Sequence, residues 1–156
     1  MLFRSVEKRE AIVSVQVEEA DPPEFIAAAR YGAEFVSGNP RRIKRYLNSF
    51  RFFSHIETRR QGAIVSTRSH EWLAVIAAAS VEEPRLLKLW MDGKLDAGGG
   101  SVMQAVESND AEQLSQFGLK PTEALERRRS LALRLAGAPA TEYRVFAFAA
   151  DSQTTA

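Results

Sequence analysis

Residues 38–48 read Gly-Asn-Pro-Arg-Arg-Ile-Lys-Arg-Tyr-Leu-Asn, and their types and order suit the binding of an anion. Asn39 is a good helix N-cap, because its side-chain oxygen can accept a hydrogen bond from a free N–H of the first turn. Pro40 then falls at the first helical position, where its missing N–H costs nothing and its fixed φ suits the helix. Arg41, Arg42, Lys44 and Arg45 follow at once. Cations crowded at the positive end of a helix dipole are unfavourable unless an anion joins them. The start of this helix is therefore a candidate anion site. The bland alternative is a capped helix whose arginines pair with acids of the same chain, such as Glu18, Glu19 or Glu34.

Other chemistry finds less support. The two histidines, His55 and His70, each follow a serine, but neither pair lies in a nucleophile-elbow context or has a third orienting group nearby in sequence. Adjacent Glu82 and Glu83 point in different directions on a helix. The order Ser80-Val81-Glu82-Glu83 is read instead as a capping box before Pro84. Gly98-Gly99-Gly100-Ser101 lacks the Gly-Lys-Ser/Thr ending of a P-loop, and no Walker motif occurs elsewhere in the chain. There are no cysteines, which removes disulfides, thiol nucleophiles and thiolate metal sites. No metal site is expected.

The net charge of the 156 residues is +1, so no global field favours a polyanion. The charge is nevertheless uneven. Between Arg41 and Arg60 stand Arg41, Arg42, Lys44, Arg45, Arg51, Arg59 and Arg60 against the single acid Glu57. A basic helix face of this kind is a candidate nucleic-acid or protein surface, with Arg42, Arg51, Arg59 and Arg60 as its phosphate-contacting residues. Tyr46, Phe50, Phe52 and Phe53 add aromatics, most of them on the stripe that a packed helix must bury. No apolar run approaches the length of about 20 residues that spans a bilayer, and the N-terminus lacks a signal-peptide core. A soluble, cytoplasmic chain is the expectation.

The elements that would position these residues are mainly helical. Val13, Val15 and Val17 alternate as in a short strand. Asp21-Pro22-Pro23 opens a helix to about residue 36, with Phe25, Ala28, Ala29, Gly32, Phe35 and Val36 as its apolar stripe. A second helix runs from Pro40 to about Arg60 and buries Ile43, Tyr46, Leu47, Phe50 and Phe53; the short connection makes the pair a helix hairpin. A third helix covers about 69–79 after a loop at 66–69, and a fourth follows Pro84 to about Gly93. Residues 94–101 form a Gly-rich linker. Shorter helices are expected at 102–107 and 111–117, and a longer one from Pro121 to Ala136. Tyr143 to Phe148 reads as a second strand, and the tail at 151–156 as disordered.

The segment Gly38 to Asn48 resembles the motif that opens a helix in the C-terminal helical region of KAP-type P-loop NTPases, where Asn-Pro-Arg, Ile/Val-Lys-Arg and Asn follow in this order. It is also similar in form to the sensor-2 motif of AAA+ lids. Trp72 to Ile76, followed by Glu83-Pro84-Arg85-Leu86-Leu87, resembles the family's next helix and its Trp-Pro-x-Leu, with Glu83 where that family often has Trp. The resemblance covers about Asp21 to Trp90. It implies a helical lid-like domain over 1–93, joined by the linker at 94–101 to a small helical segment at 102–150. The 37 residues before Gly38 cannot hold a Walker A/B core. The implied function is thus the lid-like portion, as a fragment or split subunit, of an NTPase whose P-loop core lies elsewhere. ATP and Mg would belong to that core, the expected partner. Arg41 would be the sensor-like arginine, with Asn39 setting the helix start and Lys44 and Arg45 accessory. No ATPase activity is expected of this chain alone.

Overall fold

The computed structural model describes residues 21–61, 66–96, 98–140, 142–143 and 145–147. Seven helices are bounded within them: α1 Pro23–Ala33, α2 Pro40–Gln61, α3 Thr67–Glu82, α4 Pro84–Met91, α5 Ser101–Ser108, α6 Ala111–Ser115 and α7 Leu125–Gly137. The chain divides between Glu82 and Glu83 into two compact units, and residues 94–101 fall in the second.

The first unit is organised around α3, which packs most extensively on α1 and then on α2. Seven consecutive residues of α3, Leu73 to Ala79, are fully buried. A helix that is apolar on every side has no solvent face and must run through a core. The four alanines in that run let neighbouring backbones approach closely. Gly32 of α1 shows how closely: a Cβ there would stand 2.8 Å from Ala74 Cβ and would overlap the Tyr46 hydroxyl. That hydroxyl donates to the Ala29 carbonyl at 2.9 Å, tying α2 to α1 inside the core. The ring stack continues from α1 into α2, with Phe25 and Phe50 centroids 4.6 Å apart and nearly parallel. Ile43, Tyr46, Leu47, Phe50 and Phe53 are all buried, as their helical spacing requires.

The second unit packs α7 against α5 and α4. Arg128 of α7 is buried and pairs through two nitrogens with Glu83, at 2.8 and 3.3 Å, while its Nη1 donates to the Lys120 carbonyl at 2.5 Å. Asn109 ends α5 in the left-handed conformation, with φ 53°. Its amide exchanges two 3.0 Å hydrogen bonds with the Thr122 backbone, which fixes the approach to α7. At the glycine-rich stretch, Asp96 Oδ1 accepts from the Gly98 N–H at 2.8 Å, and Gly99 takes φ 93°, so the chain turns tightly before entering α5.

Three expectations are corrected. No strand occurs among the described residues. The one expected at Tyr143–Phe148 is replaced by helix at 142–143 and 145–147. Tyr143, Phe146 and Ala147 are buried while Val145 is 55% exposed, which is helical rather than alternating burial. The β-branched and aromatic content that suggested a strand is overridden by packing of one helical face. The strand expected around residues 13–17 lies outside the described residues, as does the tail. The capping box is also absent: Ser80 Oγ donates to the Ala77 carbonyl, and Glu83 stands at the N-cap of α4 without a side-chain cap bond. The loop expected at 66–69 is instead the first turn of α3, where Ser66 Oγ accepts from the Ser69 N–H at 3.1 Å.

Candidate functional site

The start of α2 forms as its residues dictate. Asn39 Oδ1 accepts from the Arg41 N–H at 2.9 Å, and the Asn39 carbonyl accepts the first helical bond from Ile43 at 3.1 Å. The cap uses one of the donors that a helix start leaves open.

Part of the cationic crowd finds its anion within the chain. Glu82, the last residue of α3, reaches the turn before α2: Oε1 accepts from the Ser37 N–H and Oε2 from Arg42 Nη1, each at 2.9 Å. The Glu82 side chain is 5% exposed against 48% for Arg42, so the carboxylate is the buried member of the pair. A negative charge held beside a helix N-terminus by two donors is electrostatically favoured, and here it ties the end of α3 to the start of α2. Sequence reasoning missed this contact. Its partners are 40 residues apart, and no local pattern distinguishes Glu82 from the other acids. Of the acids expected in its place, Glu34 is exposed and makes no ion pair among the described residues, and Glu18 and Glu19 lie outside them.

The remaining cations of α2 divide by face. Arg51 pairs with Asp21 at 2.9 Å and stands over the Phe25 ring, 5.6 Å from its centroid. Arg60 pairs with buried Glu57 at 3.1 Å, and Gln61 Nε2 donates to the same oxygen. Arg41, Lys44, Arg45 and Arg59 are exposed, and their side chains have no partner among the described residues. Their spacing places them on one face of α2 together with exposed Asn48, Phe52 and His55. Thus Asn39, Arg41, Lys44 and Arg45 are brought together at the helix start. The nucleic-acid candidates are not brought together: Arg42 and Arg60 are held in ion pairs on another side of the helix, Arg51 is held by Asp21 at the edge of the free face, and Arg59 alone joins that face without an ion pair.

Neither histidine pairs with a serine nucleophile. His55 is exposed. His70 is buried, edge-on to Phe50 with ring centroids 6.3 Å apart, and its Nδ1 has no hydrogen bond. Burial holds the His70 imidazole below its ordinary pKa, partly opposed by the charge of Glu24. Burial likewise pushes the Tyr46 phenol well above its usual range, so it remains a neutral donor. Among the described residues no group of three or more His, Asp or Glu could hold a metal ion, and no helix is long and apolar enough to cross a membrane.

No protein-family model matches this chain, and no curated protein or solved structure matches it significantly.

Proposed function

We propose that the first unit is a lid-like helical portion of a KAP-type or AAA+-like P-loop NTPase, and that Arg41 reaches the phosphates of ATP-Mg held by a P-loop core in another domain or polypeptide. The observation that carries this reading is the contrast between neighbours. Arg42 is neutralised by Glu82, whereas Arg41, one residue earlier on the same capped turn, is exposed and has no partner among the described residues. A guanidinium fixed at the root by a capped helix and free at the tip is preorganised for an incoming oxyanion. Placed at a γ-phosphate, it donates to the oxygens on which charge accumulates during transfer, and couples that charge to movement of the helix. Lys44 and Arg45 lie on the same face and add field, with no acid partner among the described residues. Glu82 then has a positioning role: it holds the turn at Ser37 and removes Arg42 from competition for the phosphate.

The test begins with a core carrying Gly-x-x-x-x-Gly-Lys-Ser/Thr, sought in the same reading frame or an adjacent gene and co-expressed with this chain. Arg41→Ala should lower the ATP turnover number of the complex by about 100-fold or more, the loss typical of an oxyanion-stabilising donor, with little change in folding. Wild-type turnover in Arg41→Ala would refute the assignment. So would turnover by this chain alone that Arg41→Ala abolishes.

A further inference from the structure

We infer that the free face of α2, from Arg41 to Arg59, is a track for single-stranded nucleic acid. This goes beyond the nucleotide reading and does not rest on it, because the distal half of the face lies far from the helix start. At 1.5 Å per residue the line from Arg41 to Arg59 extends about 27 Å, long enough to follow several phosphates of one strand.

The partition of charge carries the inference. Helix α2 has seven basic residues and one acid. The two basic residues on another side of the helix are each neutralised, Arg42 by Glu82 and Arg60 by Glu57, as is Arg51 at the edge of this face by Asp21. The four on the face, Arg41, Lys44, Arg45 and Arg59, have no partner among the described residues, and none of the described carboxylates lies on the face, since Glu57 is fully buried. A face with unneutralised cations at both its ends is complementary to a polyanion.

Phe52 decides which polyanion. It stands midway along the row and is 44% exposed, whereas its neighbours Phe50 and Phe53 are fully buried. Exposing an aromatic ring to water between cations costs hydrophobic free energy that stacking on an unpaired base would recover. In a duplex the bases are already stacked on one another. The Asp and Glu side chains of an acidic peptide have no aromatic face to offer. Asn48 and His55 flank Phe52 on the same face and supply hydrogen-bonding groups for base edges or sugar.

The experiment uses the full chain and a fluorescent oligothymidylate of about 20 nucleotides, long enough to span the face. Anisotropy is read across salt concentrations. Four released counterions give a slope of log K on log salt of about −2.8, or about a 50-fold loss of affinity between 50 and 200 mM salt. Arg59→Ala should reduce the slope to about −2.1. Phe52→Ala should weaken binding about tenfold at every salt concentration with the slope unchanged. Arg30→Ala, an exposed cation on α1, serves as the control and should change neither. All three are exposed positions, so each variant should keep the wild-type far-UV circular dichroism. Absence of binding at 50 mM salt overturns the inference. Equal affinity for a duplex of the same length with no effect of Phe52→Ala overturns the single-strand assignment. Equal binding to polyglutamate would make the face a docking site for acidic protein and also overturns it. A selective loss in Arg41→Ala with Arg59→Ala unaffected confines the chemistry to the helix start and overturns the track while sparing the nucleotide reading.

Discussion

Replacing Gly32 by alanine sets two physical effects against each other, and the structure says which wins. Gly32 lies inside α1, where alanine is ordinarily favoured over glycine by about 1 kcal/mol. Propensity alone therefore predicts a more stable protein. The new Cβ, however, would sit 2.8 Å from Ala74 Cβ and 2.9 Å from Tyr46 Cζ, and would overlap the Tyr46 hydroxyl. Both neighbours are rigid: Ala74 is in the fully buried run of α3, and Tyr46 is buried and held by its bond to the Ala29 carbonyl. Overpacking of this kind costs about 1–3 kcal/mol. Moving the ring away leaves a buried hydroxyl without its partner, about 1–3 kcal/mol more. After the propensity gain the net loss is about 3 kcal/mol, opposite in sign to the local expectation. Urea unfolding followed by far-UV circular dichroism measures it. A double-mutant cycle with Tyr46→Phe sharpens the test, because Gly32→Ala already sacrifices the Tyr46 hydrogen bond. The pair should cost about 1 kcal/mol less than the sum of the single changes. A Gly32→Ala variant as stable as the wild type, or more stable, would refute the close packing of α1, α2 and α3.

Three further outcomes follow from contacts described above. Glu82→Ala should destabilise the first unit by about 2 kcal/mol, since it removes a charge-assisted acceptor from the Ser37 N–H and from Arg42, and the exposed half of Arg42 limits the loss; hydrogen exchange at Ser37 should speed up with it. Arg128→Ala should cost the second unit about 3–5 kcal/mol, as it strands the Glu83 carboxylate against α7, and protease susceptibility of residues 83–140 measures that loss. Stability should fall with acidification below about pH 6.5, the ordinary pKa of an unfolded His, because buried His70 has a folded-state pKa held below it and the unfolded chain binds the proton first; the loss grows until pH falls through the folded value, and denaturation of His70→Gln at pH 7.5 and 5.5 should show a smaller difference between the two than wild type.

Much of the first unit was legible because its signals are local. Asn39 and Pro40 fixed the start of α2, and the spacing of Ile43, Tyr46, Leu47, Phe50 and Phe53 fixed its buried side. The extent of α3, Thr67–Glu82, was underestimated at both ends, since the serines at 66 and 69 read as a loop and the order Ser80 to Glu83 as the cap of the next helix. Tyr143 to Phe148 misled for a related reason. A short apolar run fits a period of two as readily as one of three or four, and only the burial of Tyr143, Phe146 and Ala147 on one side resolves its described residues, 143 and 145–147, as helix.

The sequence by itself determined the capped, cation-rich start of α2, because capping and helix spacing depend on neighbours within a few residues. It also determined that seven of the eight formally charged residues of this helix are cations. Which cations remain available was decided only by the tertiary structure. Arg41 and Arg42 are indistinguishable as adjacent letters, but the helix turns them about 100° apart. One turns toward Glu82, brought from 40 residues away by the packing of α3, and the other toward solvent. Electrostatic pairing acts over a few ångströms in space, so the fold, and not the order of residues, separates the structural arginine from the one free to act.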